Sequence, residues 1–217
     1  MSLNITVLGV GGGGCNSISR ILESKIFDEF KNIEFCSADT DFKALSSSLA
    51  KTKIRLGEKT TGGSGCNADV NLGEKSAIES KKDITELLKN TDILLVLAGF
   101  GGGTGAGATP FIIETAKELG IIPIVLIIKP FSFEGRKRKE IAESGFNKIK
   151  KLVEFGVEVS NDKLIELAGE DATMEDAYRL VDEKVIIPLI KNLINLNSKM
   201  SNKNDFSAGC KDLLIVS

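Results

Sequence analysis

The sequence predicts an α/β domain, a doubly wound and mostly parallel sheet of Rossmann-like type. Short apolar runs alternate with amphipathic stretches along most of the chain, and near-continuous apolar strands belong to parallel sheets covered on both faces. Two glycine-rich loops each follow such a strand and lead into a helix, and right-handed crossovers bring such loops to the carboxyl edge of the sheet. The length, 217 residues, suits one domain with a small appendage at roughly 100–200 residues per domain.

The elements follow in order. Ile5–Leu8 is an apolar run that stops at glycines, and Ile18–Phe30 has helical spacing. Ile33–Ala38 forms a second strand ending in Asp39-Thr40-Asp41, and Lys53–Leu56 a short third. The Gly-, Thr- and Asn-rich stretch Gly57–Gly73 reads as a long loop, and the charged Glu74–Lys89 as a helix. Asp92–Ala98 is a buried strand, followed by a glycine cluster and a helix over Pro110–Leu119. Ile122–Ile128 is another buried strand, Glu134–Phe155 a long helix and Val157–Val159 a short strand. Asn195–Asn204 is polar and reads as loose.

The stretch Tyr178–Leu196 predicts a helix with apolar residues over an arc of roughly 200°, where a surface helix needs a stripe little wider than 100°. It is therefore expected to be buried on two sides, with Pro188 bending it. It reads either as a kinked core helix or as one set between two layers.

Composition excludes several chemistries. There is no His and no Trp, which rules out Ser-His-Asp and Cys-His catalysis and His-ligated metals. Cys15, Cys36, Cys66 and Cys210 lie too far apart in sequence for a zinc knuckle or CxxC pair, and read as free thiols of a reducing compartment. A formal net charge of −2 gives no basic excess to drive binding to nucleic acid. Met1–Gly9 lacks a leader pattern, and no apolar run approaches the roughly 18 residues of a membrane span. A cytoplasmic protein with no direct membrane insertion is expected.

The loops carry the functional reading. Gly9-Val10-Gly11-Gly12-Gly13-Gly14 and Gly99-Phe100-Gly101-Gly102-Gly103-Thr104-Gly105-Ala106-Gly107 suit phosphate, because glycine lets backbone amides approach an anion and the following helix adds its N-terminus. In a sheet of order 3-2-1-4-5-6 the two loops would face each other across the switch point and hold one ligand. No GxxxxGK[ST] sequence occurs, so no P-loop lysine is available. Gly9-x-Gly11-x-x-Gly14 with Asp39 at the end of strand two also fits a dinucleotide fingerprint. An NAD-binding protein is thus an alternative, though it leaves the second loop without a role.

At the second loop the chain resembles a known family. Gly101-Gly102-Gly103-Thr104-Gly105-Ala106-Gly107 is similar to the tubulin signature GGGTGxG, and the remainder resembles FtsZ, the tubulin relative of bacteria and archaea. Ala38-Asp39-Thr40-Asp41 resembles the ANTD motif with Asp39 in place of Asn. Lys129 to Arg138 resembles KPFxFEGxxR, and Ser160-Asn161-Asp162-Lys163-Leu164 resembles PNDKL. The likeness is collinear from about residue 4 to 196.

The resemblance implies a GTP or GDP site. Amides of Gly12, Gly13, Gly101, Gly102, Gly103, Thr104 and Gly105 would hold phosphates, with the Thr104 hydroxyl added. Asn16 and Asp182 would read the guanine edge, with Tyr178 against the base, and Glu134, Arg138 and Asn161 would contact ribose or phosphate. No residue is expected to ligate Mg²⁺ directly; phosphates and water would hold it, with Asp39 or Asp41 nearby. Residues 1–176 would form the GTP-binding domain, 177–197 the central helix, and 198–217 a degenerate catalytic loop with a truncated end.

That last segment departs from the family pattern. In FtsZ a loop of sequence NxDFxD enters the neighbouring subunit's pocket and polarises the attacking water. Here Asn202-Lys203-Asn204-Asp205-Phe206-Ser207-Ala208 aligns Asp205 with the first aspartate and Ala208 with the second. Asp205 is the expected catalytic residue, acting in trans, in a weak or assembly-dependent GTPase with a possible part in cell division or filaments. The alternative is a non-hydrolysing GTP/GDP-binding module that dimerises or regulates. The family's second domain has no counterpart before Ser217, so the apolar helix is expected to be an uncovered patch inviting self-association, as homodimer or filament, or a full-length FtsZ-type partner.

Overall fold

The computed structural model describes residues 3–169, 172–200 and 202–213. Six parallel strands, β1 (Ile5–Val10), β2 (Ile33–Asp39), β3 (Thr52–Arg55), β4 (Ile93–Gly99), β5 (Ile122–Lys129) and β6 (Phe155–Ser160), form one sheet in the order β3-β2-β1-β4-β5-β6. The doubly wound order read from the sequence is the one observed. The central strands are buried along their whole length because helices cover both faces. Gly9 of β1 stands level with Leu97 of β4, so the two glycine loops leave the sheet side by side.

The helices are α1 (Gly11–Glu23), α2 (Phe42–Ser46), α3 (Glu58–Thr61), α4 (Val70–Glu79), α5 (Lys81–Leu88), α6 (Gly103–Glu118), α7 (Arg136–Ile149), α8 (Asn161–Ala168), α9 (Met174–Val181), α10 (Ile187–Lys199) and α11 (Lys203–Leu213). Several differ from the sequence expectation. Both α1 and α6 start inside their glycine loops, without a side-chain cap, and Pro110 lies inside α6 and not at its start. The expected long loop at 57–73 holds α3 and the first turn of α4. The expected helix 74–89 is two helices that break at Ser80, whose hydroxyl accepts from Gly57 N–H at 3.0 Å.

The stretch 178–196 is also divided. α9 passes through a π-helical turn, Asp182–Ile186, into α10, and Pro188, which has no N–H to give the helix, follows directly on that turn. The stretch expected to be loose, 195–204, holds the end of α10 and the start of α11, with residue 201 outside the described residues, and the expected catalytic loop 202–208 is helical from Lys203. Asn202 Oδ1 accepts from Asn204 N–H (2.9 Å) and Asp205 N–H (3.0 Å), starting α11. This helix lies on α10: Phe206 is 0% exposed, and Phe206 and Cys210 join Ile190, Leu193 and Leu196 in one core cluster. The apolar helix is thus covered by α11 on one side and the sheet on the other, which corrects the expected exposed patch. Residues 201 and 214–217 of the expected terminal segment lie outside the described residues. No helix among the described residues is long and apolar enough to cross a membrane.

Candidate nucleotide-binding site

A cavity of about 460 Å³ opens between the carboxyl ends of β1 and β4, where a doubly wound sheet binds its ligands. Both glycine loops line it. A wider groove of about 820 Å³ crosses the amino ends of β1–β3, but its charges are mixed in sign, and the first-turn residues Glu58 of α3 and Asp83 of α5 bring carboxylates to it.

The glycines divide into three kinds. A Cβ built on Gly12 or Gly102 meets nothing within 4 Å, so both present bare backbone to open space on the cavity. Gly102 has φ −99° and ψ 164°, a conformation any residue can take. Gly11 (φ 71°) and Gly101 (φ 134°) need glycine for the turns themselves. A third group is there for packing. A Cβ on Gly105 would stand 2.2 Å from the Gly99 carbonyl oxygen and one on Gly14 2.1 Å from that of Leu97. Gly73, Gly103 and Gly107 let α4 and α6 touch backbone to backbone, with Cβ positions 2.2–2.5 Å from carbonyl oxygens of the facing segment. The first-turn N–H groups of α1 and α6 have no carbonyl of their own helix to bind, and both helices begin at the cavity.

Asp39 ends β2 and is 3% exposed, yet lines the cavity. Its Oδ1 accepts from Thr40 N–H (2.7 Å) and Asp41 N–H (3.3 Å). Burial raises its pKa above the ordinary value, against those two N–H groups and the Thr104 hydroxyl. The Thr40 and Thr104 hydroxyls share a hydrogen bond of 2.6 Å, and Cys66 Sγ donates to Thr40 Oγ1 at 3.3 Å. Asp41 also lines the cavity and caps α2, accepting from Lys43 N–H (3.0 Å) and Ala44 N–H (2.9 Å).

The opposite rim is aromatic and charged. Glu134 accepts from Phe131 N–H and from Arg138 Nη1, both at 2.8 Å. Tyr178 is half-buried, edge-on to Phe131 with centroids 5.7 Å apart, and Phe133, 62% exposed, stacks on Phe131 at 4.9 Å. Burial, then the nearby Glu134 carboxylate, raises the Tyr178 pKa. Asn161, at the head of α8, is 3% exposed, and its side-chain Oδ1 is buried without a hydrogen-bond partner. A buried carbonyl left unpaired at a cavity wall marks the place of a donor supplied from outside.

All the expected binding residues but one line this cavity: Gly12, Gly13, Asn16, Gly101, Gly102, Gly103, Thr104, Gly105, Glu134, Arg138, Asn161 and Tyr178, with Asp39 and Asp41. Asp182 does not. It is 4% exposed, at the start of the π-helical turn, and its carboxylate accepts from Arg20 Nε and, at 3.3 Å, from Arg20 Nη2. Burial raises the Asp182 pKa even so. Asp205 is not at the cavity either; it is exposed in the first turn of α11, its Oδ2 accepting from Asn202 Nδ2 at 3.0 Å. The sequence reading missed Arg20, Ser17 and the wall formed by Ser64–Ala68. In that wall Asn67 (φ 46°) and Ala68 (φ 62°) are both left-handed, a conformation concentrated at ligand sites; the Gly-Ser-Gly-Cys-Asn run was the available signal.

Comparison with known proteins agrees with this geometry. Residues 4–169 match the model of the Tubulin/FtsZ family, GTPase domain. Cell division protein FtsZ of Pseudomonas putida is 38% identical over 179 residues, 82% of this chain and 44% of that protein. FtsZ of Aquifex aeolicus is 40% identical over 178 residues, 82% and 47% of the two chains. The chain therefore spans about half the length of the curated relatives it matches. Among solved structures, the empty FtsZ dimer of M. jannaschii superposes with a TM-score of 0.81 at 30% identity, covering 92% of this chain and 57% of that one. The GTPγS-bound protofilament of CetZ2 from Haloferax volcanii, at 19% identity and a TM-score of 0.79, shares the fold; 90% of this chain and 59% of that one are covered.

Proposed function

Because the chain belongs to the Tubulin/FtsZ family through that family's GTPase domain, we propose that its cavity binds GTP or GDP and that any hydrolysis requires a second copy of the chain. The carrying observation is the pair of helix N-termini, α1 and α6, that meet at one cavity with Gly12 and Gly102 bare toward it. Backbone amides of Gly12, Gly13 and Gly101–Gly105 hold the phosphates, where helix dipoles favour negative charge. Asn161 Oδ1 accepts from a ribose hydroxyl, which pairs the atom now left alone. Glu134 and Arg138 flank it, and the Tyr178 ring backs the base. Asn16 meets the guanine edge directly; Asp182 does so only when Arg20 releases one carboxylate oxygen. On this reading residues 1–176 are the GTP-binding domain, 177–197 the central helix and 198–217 the degenerate catalytic loop and chain end.

The residues present fit Mg²⁺ held mainly by phosphate and water. Among the described residues no three His, Cys, Asp or Glu side chains form a metal cage, yet Asp39 and Asp41 offer hard carboxylate oxygens at the cavity. Bound there, the ion would offset phosphate charge.

For hydrolysis, Asp205 is exposed and away from its own cavity, as a residue acting on a neighbour's nucleotide must be. A head-to-tail homodimer or filament in the cytoplasm, with a division or cytoskeletal role, follows from this reading. Ala208 in place of a second carboxylate makes turnover slow. That substitution, and the folding of residues 203–213 into a helix, favour as second reading a non-hydrolysing GTP/GDP module that dimerises or regulates a full-length FtsZ-type protein. GTP turnover per molecule, measured against protein concentration with bound nucleotide quantified, separates the two. A rate that climbs supports assembly-dependent catalysis; tight binding with flat, negligible turnover supports the module. Preferential binding of NAD would overturn both.

A further inference from the structure

The cavity is rich in amides but poor in free positive charge, and this bears on how a polyanion enters it. Three basic side chains line it, and each is already paired: Arg20 with Asp182, Lys129 with Glu158 at 2.6 Å, and Arg138 with Glu134 at 2.8 Å. Asp39 and Asp41 add two more carboxylates, and among the described residues neither has an ion-pair partner. Asp39 is the more consequential, because it is 3% exposed and cannot dissipate its charge into solvent. It sits beside Thr104 in the first turn of α6, whose amides face the cavity. A phosphate entering there meets a buried carboxylate, and two like charges repel more strongly where little water screens them. The family motif this segment resembles has Asn at that position, which carries no charge. The unpaired Asn161 Oδ1 on the same cavity independently indicates that a ligand completes the site.

We propose that Asp39 makes tight guanine-nucleotide binding by this chain conditional on a divalent cation, which the Asp39 carboxylate and the nucleotide phosphates share directly or through its water. The inference rests on the reading that the cavity holds a guanine nucleotide. Asp41 contributes less, because it is only partly buried and solvent screens its charge. An Asn at position 39 keeps the acceptor oxygen for Thr40 N–H and Asp41 N–H while removing the charge.

The test is titration of nucleotide-free chain with fluorescent GDP, in Mg²⁺ and in EDTA, for the native protein and Asp39→Asn. Chelation should weaken native binding by roughly a hundredfold, about 2.7 kcal/mol, and that of Asp39→Asn by less than about fivefold, about 1 kcal/mol. Native binding equally tight in EDTA overturns the inference, and needs no variant to fold. So does an Asp39→Asn protein as cation-dependent as the native one. If neither protein binds GDP or GTP under either condition, the nucleotide reading itself is overturned, and the inference with it.

Discussion

Replacing Gly102 by alanine should damage the ligand site while leaving the fold intact, whereas replacing Gly105 should destabilise the fold itself. At Gly102 the backbone is extended and an added methyl meets no atom within 4 Å. The substitution chiefly restricts the unfolded chain, for a gain of about 0.4–1 kcal/mol, which raises Tm by about 1–4 °C at this size. The same methyl projects into the cavity and holds phosphate away from the Gly102 and Gly103 amides. A hydrogen bond to a charged group contributes about 1.5–3 kcal/mol, so Kd for GDP should rise about 10- to 150-fold. At Gly105 the methyl lies 2.2 Å from the Gly99 carbonyl oxygen, a backbone atom that cannot swing aside. Overpacking of this kind costs about 1–3 kcal/mol, which lowers the ligand-free Tm by about 2–12 °C. The assay is thermal melting without nucleotide, paired with GDP titration. A Gly102→Ala protein that melts as low as Gly105→Ala, or that binds GDP undiminished, would refute the separation of cavity-facing from packing glycines.

Other substitutions test the remaining elements. Phe206→Ala, at a fully buried site in α11, should cost about 3–5 kcal/mol; a Tm within a degree of native would show that α11 does not belong to the core. Asp205→Asn, at an exposed site, should change stability by less than about 0.5 kcal/mol and reduce whatever turnover rises with protein concentration; unchanged turnover would remove Asp205 from catalysis. Asp182→Asn tests linkage. Burial raises the Asp182 pKa above its ordinary 3.8, so the native stability from this carboxyl is full below 3.8 and is lost as pH rises through the folded-state pKa. The stability of Asp182→Asn relative to native should therefore climb over that interval in pH-dependent unfolding; a difference that shrinks would reverse the assigned cause.

The sheet could be read from sequence because strands such as Ile93–Gly99, buried on both faces, must be apolar at every position, and few other elements look like that. The helix starts could not. Residues 103–107 are mostly glycine, the poorest helix formers after proline, and what makes them helical is contact with α4, a partner distant in sequence. The cavity floor was readable because Gly12, Gly102 and Asp39 follow strands directly. The wall at 64–68 was not, since a Gly-rich run does not say which way it folds. Asp182 looked like a free acceptor because nothing in its neighbourhood of sequence reveals Arg20, 162 residues earlier. Residues 202–208 looked like a loop because they resemble the family's NxDFxD loop, whereas Phe206 and Cys210, four apart, supply the buried face of a helix.

The bare contact between α4 and α6 has a mechanical consequence. Side chains between helices act as cushions: they change rotamer and absorb small displacements. Here Gly73, Gly103 and Gly107 leave main chain against main chain, so the joint has no slack. The first turn of α4 carries the chain out of the wall at 64–68, and the first turn of α6 opens on the cavity. Any displacement of α6 is therefore passed to α4 and the wall that leads into it, and the two are geared together as one lever.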